Sequence, residues 1–224
     1  MDAAIIIAII ALVGSILSAA ATVFLPPLLQ SRSEASKTLA SYREPLLAAA
    51  YELQARLHNI LCNEFVEKYL VGDKADKQDA ALQSTLYVFA QFFGWREAIR
   101  RDVQLLRFAT EEETREVARL LRDITETFLS EDYGPQFMIW RVEQRGFGEA
   151  MIVTADSRLG CLGYASFIEH ADRLEQWLTP IERDLRSIGD DGRRRLTRLQ
   201  NLLLELVTKL DENHTRYPFT MNAA

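Results

Sequence analysis

The sequence predicts an all-α protein in which an N-terminal transmembrane helix precedes a single cytoplasmic helical bundle. Two observations lead to this prediction. Residues 3–25 form an uncharged apolar run, and the chain beyond them repeats apolar residues at the 3.6-residue spacing of amphipathic helices. We therefore expect a transmembrane anchor over residues 1–30, a bundle domain over residues 31–212 and a flexible tail over residues 213–224.

The apolar run is long enough to cross a bilayer. Its roughly 23 residues make a helix of about 34 Å, against a hydrocarbon core of about 30 Å. Pro26 and Pro27 end the helix because neither has an amide N–H. A cleaved signal peptide, with a site at Ser18-Ala19-Ala20, and a buried soluble helix are the alternatives. We favour the uncleaved anchor because no cation precedes Arg32 and the run has no polar face.

The cations near the anchor lie on its C-terminal side, at Arg32, Lys37 and Arg43. The positive-inside rule then places the N-terminus outside the cell membrane and the large domain in the cytoplasm. The lipid bilayer is therefore one expected partner of the protein.

One face of the anchor carries small residues. Gly14, Ser18 and Thr22 follow one another at intervals of four, which lets two membrane helices approach closely. This spacing predicts self-association, or association with another membrane protein. The alternative is that small residues are simply common in membrane helices.

The bundle itself is divided into helices by proline and glycine. The predicted helices cover Ser33–Tyr69, Ala75–Phe108, Thr110 to near Tyr133, Phe137–Val153, Tyr164–Ile188 and Arg193–Leu210. Pro45, Gly94 and Pro180 each mark a kink or a restart within a helix. A short strand pair is the alternative to a helix over Phe137–Val153, and Asp156–Gly163 is predicted to be a loop. The last helix carries a heptad-like leucine row.

Composition excludes some classes of function. The net charge of −6 makes a nucleic-acid partner unfavourable. The two cysteines, Cys62 and Cys161, show no local spacing pattern, so we expect reduced, buried thiols.

Known catalytic and cofactor motifs are not found. The chain has no phosphate-binding glycine loop and no His-Glu-x-x-His motif, and Gly146-Phe147-Gly148 matches only a fragment of a nucleotide-binding pattern. Two cysteines and two histidines, Cys62, Cys161, His58 and His170, could form a zinc site in principle, but we favour four unrelated residues. The sequence therefore predicts no metal and no cofactor.

One helix in the glycine-rich part of the chain carries a cluster of charged and amide side chains. Its members are Arg141, Glu143, Gln144, Arg145 and Glu149. Arg141, Arg145 and Glu149 share one helical face at intervals of four. Such a face can hold an anionic ligand or support acid–base chemistry. The interpretation that we favour is a salt-bridge ladder that orients helices.

A second cluster is purely basic and comprises Arg193, Arg194, Arg195 and Arg198. These side chains are candidates for contact with anionic lipid headgroups near the membrane. Their predicted place at a helix N-terminus is unfavourable for positive charge, which makes a partner more attractive. A solvated helix face is the favoured alternative.

Several short stretches carry a resemblance. They are Tyr42–Leu47, Tyr51–Leu57, Ser84–Tyr87, Gln91–Trp95, Glu143–Arg145 and Gly163–Phe167. Together they resemble an uncharacterised group of bacterial single-pass membrane-anchored helical proteins. That group has no known activity, so the resemblance implies an anchored helical fold and no site residues.

The sequence favours a non-enzymatic function. We expect a self-associating scaffold or sensor at the cytoplasmic face of the membrane, because an anchor is present and catalytic signatures are not. The alternative is a membrane-tethered enzyme or ligand-binding effector that uses the polar cluster at residues 141–149.

Overall fold

The computed structural model describes residues 42–71, 75–102, 111–155, 158–213 and 215–217. Helix α1 is described over residues 42–62, and a π-helical turn follows at Glu67–Val71. The other helices are α2 Ala75–Asp102, α3 Glu111–Leu129, α4 Arg141–Met151, α5 Tyr164–Glu169, α6 Ala171–Arg186 and α7 Asp190–Leu210. A 3-10 turn at Glu131–Tyr133 follows α3, and a hairpin of β1 Ile152–Ala155 and β2 Arg158–Cys161 follows α4. The predicted all-α class is confirmed for the described residues, which are mostly helical with one short hairpin.

Of the helices in the described ranges, none combines the length and the apolar composition that crossing a bilayer requires. The predicted anchor, residues 1–30, lies outside those ranges. So do Gly14, Ser18 and Thr22, the residues predicted for self-association.

Helix α2 is the central element. Side chains from every side of it are buried between residues 85 and 99, including Phe89, Phe92 and Phe93, each 1 % exposed or less. Helix α4, the hairpin, α5 and α6 all pack against it. A helix that is buried on every side has to be enclosed by other elements, and the middle of α2 meets that condition.

Two glycines let neighbouring elements lie directly on α2. A Cβ atom at Gly148 of α4 would lie 2.6 Å from the Phe93 carbonyl oxygen, and one at Gly94 would lie 2.9 Å from Cβ of Met151. The absence of a side chain at Gly94 permits this close contact with Met151. Helix α2 continues through Gly94 as one helix. Gly148 likewise lies at a contact between helices. This packing role explains the second glycine of the Gly146-Phe147-Gly148 fragment without a nucleotide.

Helix α1 is tied to the ends of two other helices by Arg43. Its guanidinium donates to the Leu210 carbonyl at 2.9 Å and pairs with Glu113 at 2.9 Å. Further along α1, Arg56 donates to Thr85 of α2 at 2.8 Å. Pro45 lies within α1, and α6 continues through Pro180.

Helix α7 packs along α3 through its leucine row. The row is at most 2 % exposed and comprises Leu196, Leu199, Leu203, Leu206 and Leu210. This confirms the heptad-like pattern predicted from the sequence.

Arg195, on the same helix, is 0 % exposed. Its five N–H donors bind backbone carbonyls in the last turn of α3 and in the segment between α3 and α4. The acceptors are those of Thr127, Phe128, Ser130, Gly134 and Gln136. Burial lowers the pKa of Arg195, while the nearby Tyr133, Asp184 and Asp191 raise it. The carbonyl dipoles replace the water that a buried cation would otherwise need.

The preferred helix over Phe137–Val153 is wrong at both ends. Phe137 has a φ of 54°, outside the right-handed helical region, and the helix begins only at Arg141. The β-branched run Ile152-Val153-Thr154 pairs in antiparallel register with β2, Ile152 opposite Cys161. The loop predicted over Asp156–Gly163 is therefore wrong where β2 forms.

The flexible tail predicted over residues 213–224 stays a prediction, and its described residues 215–217 contact the helical domain. The Asp211 carboxylate accepts backbone N–H groups from Thr215, Arg216 and Tyr217, each at 3.0 Å. The Tyr217 ring stacks on Tyr51 of α1 with centroids 3.9 Å apart. Residues 218–224 lie outside the described ranges.

The Arg195 contacts predict a large effect from a conservative substitution. Arg195→Lys keeps the charge but offers three donors without the planar fork, so several buried carbonyls lose their partners. We expect the free energy of unfolding to fall by about 3–5 kcal/mol, measured by urea denaturation. The matched control, Arg198→Lys, changes an exposed residue of the same helix and should shift stability by less than about 0.5 kcal/mol. Equal effects of the two substitutions would contradict the role given to Arg195.

The close approach of α4 to α2 predicts that Gly148→Ala destabilises the protein. The added methyl group would press on the Phe93 carbonyl and push the helices apart, at a cost of about 1–3 kcal/mol. Gly160→Ala in β2 is the control, because its nearest contact would be an ordinary 3.5 Å from Cγ2 of Val153. Thermal denaturation compares the two variants. An unchanged melting temperature for Gly148→Ala would show that α4 does not depend on this contact.

Candidate functional site

A cavity of about 380 Å³ lies where α2, α3 and α4 meet. Its charged and polar lining residues are Arg96, Glu97, Arg100, Arg122, Thr125, Arg141, Gln144 and Arg145. Its apolar walls are Phe93, Ile99 and Leu121. Five arginines thus face one glutamate in a protein whose net charge is −6.

Helical spacing explains why arginines meet here. Arg96 and Arg100 are four residues apart on α2, and Arg141 and Arg145 are four apart on α4. Each pair therefore occupies one face of its helix. Because α4 packs against α2, the two faces border the same cavity, and α3 adds Arg122.

Arg96 is held in place by neutral groups. Its guanidinium donates to Gln144 Oε1 at 3.1 Å and to Thr125 Oγ1 at 2.7 Å, with the rings of Phe92 and Phe93 about 6 Å away. Burial lowers the pKa of Arg96 to about 10, with Glu97 opposing this shift and Arg141 and Arg145 adding to it. The side chain therefore remains a cation at neutral pH.

The two neutral partners of Arg96 are themselves fixed. The Gln144 amide nitrogen donates to the carbonyls of Ile139 at 2.8 Å and Thr125 at 3.1 Å, which turns its oxygen toward Arg96. The Thr125 hydroxyl donates to the Leu121 carbonyl at 2.8 Å, which leaves a lone pair for Arg96. The position of the Arg96 guanidinium is thus fixed by contacts within the protein.

Glu97 neutralises a different part of the lining. It is 3 % exposed and accepts two bonds from Arg100, at 2.6 and 2.5 Å, and one from Arg101 at 2.9 Å. Burial raises the pKa of Glu97, but the hydrogen bonds from Arg100 and Arg101 outweigh it and hold the pKa below its usual value. Glu97 is therefore an ionised structural partner and not a proton acceptor of suitable strength.

The structure divides the cluster predicted at residues 141–149. Arg141, Gln144 and Arg145 line the cavity. Glu143 instead caps α4 by accepting the Trp140 N–H at 2.7 Å. Glu149 pairs with Arg101 of α2 at 2.8 Å. This is an interhelical salt bridge of the kind expected from the salt-bridge ladder that the sequence analysis favours.

The basic cluster on α7 does not form one surface. Arg195 is buried, so its prediction as a lipid contact is wrong. Arg193 pairs with Glu67 at 3.2 Å and Arg194 with Asp191 at 2.7 Å. Helix α7 begins at Asp190 and not at Arg193, so two aspartates occupy its positive N-terminus and the predicted repulsion there does not arise.

Lipid contact through Arg193, Arg194 and Arg198 stays a prediction. All three have solvent-accessible side chains.

The cysteines and histidines considered for zinc have separate environments. His58 Nδ1 lies 3.4 Å from the Gln200 amide, and His170 Nδ1 lies 2.7 Å from the Ser166 carbonyl. Cys161 packs beside α2, where burial raises its thiol pKa to about 12, whereas Cys62 is exposed, contrary to the prediction of a buried thiol. Within the described ranges, these side chains form no group able to hold a metal ion.

Sequence reasoning missed the α2 and α3 contributions to the cavity, namely Arg96, Arg100, Arg122 and Thr125. The four-residue spacing of Arg96 and Arg100 was the available signal. It was not sufficient alone, because the same spacing is common on solvated helices.

Comparisons of the chain with protein-family models, with curated proteins and with solved structures found no match. The resemblance to anchored bacterial proteins therefore stays a prediction. The function has to be inferred from the chemistry of the cavity.

Proposed function

We propose that this protein is a membrane-anchored sensor whose helical domain binds a small anionic ligand in the cavity between α2, α3 and α4. The observation that carries the proposal is the convergence of five arginines from three helices on one partly apolar cavity. Cavities with apolar walls and a few convergent polar groups are the usual form of small-molecule sites.

The charge of the lining supports an anion over a neutral ligand. Bringing several guanidinium groups together is electrostatically unfavourable, and Arg141 and Arg145 already lower the pKa of Arg96. A bound anion removes this repulsion and gains charge-assisted hydrogen bonds.

The lining chemistry favours binding over catalysis. Among the lining residues that the structure describes, there is no histidine, cysteine or lysine, Glu97 is held by two arginines, and the Thr125 hydroxyl donates to backbone. A nucleophile paired with a base is therefore not assembled at this cavity.

The membrane half of the proposal rests on residues 3–25 and on the cations that follow them. Self-association through Gly14, Ser18 and Thr22 remains part of it. A sensor at the membrane would transmit the signal of ligand binding through this anchor to a neighbouring membrane protein or second copy.

Anion binding is tested by titrating the full chain in detergent with inorganic sulfate and with phenyl sulfate at constant ionic strength. We expect saturable stabilisation in thermal denaturation. Arg145→Gln removes one lining cation and should weaken binding about tenfold. Arg173→Gln removes an exposed cation of α6 outside the cavity and should leave the affinity unchanged. If neither anion binds, or if both variants weaken binding equally, the proposed site is wrong.

The anchor is tested by alkaline carbonate extraction of cell membranes. We expect the full chain to remain in the pellet. Leu12→Arg combined with Ile16→Arg places two charges at the centre of the span, at about 2.5–3.5 kcal/mol each, and should release the protein. The control pair is Leu12→Val with Ile16→Val, which keeps the span apolar. Release of the unmodified chain would overturn the anchor.

A further inference from the structure

The five cavity arginines differ in how their charge is balanced. Three of them have a carboxylate partner: Arg100 pairs with Glu97, Arg141 with Glu126, and Arg122 lies 3.6 Å from Asp123. Each of these three arginines therefore has a carboxylate within salt-bridge distance without any ligand.

The other two, Arg96 and Arg145, have no carboxylate within salt-bridge distance in the part of the chain that the structure describes. Arg96 binds only the neutral oxygens of Gln144 and Thr125. Arg145 is exposed on the cavity side of α4. Among the described residues, the cavity therefore holds two positive charges that no carboxylate pairs with directly.

Arg96 is half-buried, and its partial loss of water makes the missing counter-charge costly. A guanidinium that loses water is stabilised most by an anion that accepts two of its hydrogen bonds. The lowered pKa of Arg96, caused mainly by burial, agrees with a cation that lacks such an anion.

The apolar side of the cavity restricts the rest of the ligand. Phe93 and Ile99 are 1 % and 3 % exposed and form a wall beside the arginines. A volume of about 380 Å³ is near the lower end for ligand pockets. The ligand must therefore combine a compact anionic group with a small apolar group.

We propose that the ligand is a phosphate monoester that binds as the dianion, with its phosphate between Arg96 and Arg145 and a small apolar group against Phe93 and Ile99. This rests on the proposed function above. Two charges on the phosphate match the two unbalanced arginines, whereas a carboxylate or a sulfate ester carries only one. Phosphate also fits the bidentate geometry of guanidinium groups.

The pH dependence separates these ligands. The second pKa of a phosphate monoester is about 6, so its affinity should rise from pH 5 to pH 7.5 as the dianion forms. The sulfate ester has no such step. The charged groups around the proposed phosphate position are arginines and carboxylates of α2, α3 and α4, and none of these described near neighbours is a histidine.

The experiment compares phenyl phosphate with phenyl sulfate by isothermal titration calorimetry on the full chain in detergent. At pH 7.5 we expect phenyl phosphate to bind at least about tenfold more tightly, and this preference should shrink toward pH 5. Arg145→Gln should abolish most of the preference, Arg145→Lys should retain part of it, and Arg173→Gln should leave it intact.

The outcomes distinguish the two proposals. Equal affinity for the two esters at pH 7.5 overturns the phosphate assignment and leaves the anion site in place. No binding of either ester overturns the proposed function itself. A preference that survives Arg145→Gln unchanged overturns the placement of the phosphate.

A phosphate monoester can come from a soluble metabolite or from the headgroup of phosphatidic acid. A second arm places the full chain in phosphatidylcholine nanodiscs with and without phosphatidic acid. Weaker phenyl phosphate binding in the presence of phosphatidic acid supports the phosphate site and identifies a lipid source. Unchanged binding supports the same site with a soluble source.

Discussion

The burial of one guanidinium, that of Arg195, decides how the second half of the domain is arranged. Its five N–H donors bind backbone carbonyls between residues 127 and 136, at the end of α3 and in the irregular chain that follows. The last carbonyls of a helix have no N–H partner in a following turn, and the guanidinium supplies donors to those of Thr127 and Phe128. Helix α7 thereby holds the connection that leads into Arg141, and the α4 wall of the cavity depends on a residue that does not line it.

The cavity results from the same packing that stabilises the core. Gly148 lets α4 lie against α2, so that Arg96 and Gln144 can bond at 3.1 Å. Tight packing also gathers arginines from three helices, and Glu97 and neighbouring carboxylates offset only part of their repulsion. Cations without a direct carboxylate partner beside apolar walls are unfavourable for stability alone, and this is the physical reason behind the ligand-binding proposal.

Local patterns predicted much of the helical structure and part of the site. The leucine row of α7 is buried as its spacing indicated, and Arg141 and Arg145 share one face of α4. Glu143 was assigned to the same cluster but caps its own helix. The hairpin was not predicted because each of its strands has only four residues. An alternating pattern of that length is too short to be distinguished from the helical pattern of the neighbouring residues.

By itself the sequence determined the helical class of the bundle, the apolar face of each helix and the uncharged run at residues 3–25. These follow from spacings within a few residues, which decide the side chains that share a face. Only the tertiary structure decided that Arg96 and Arg145 border one cavity while Arg195 is buried against carbonyls. All three are arginines on helices of the same bundle. Their different roles depend on which helix packs opposite, and that is decided by contacts between residues far apart in the chain.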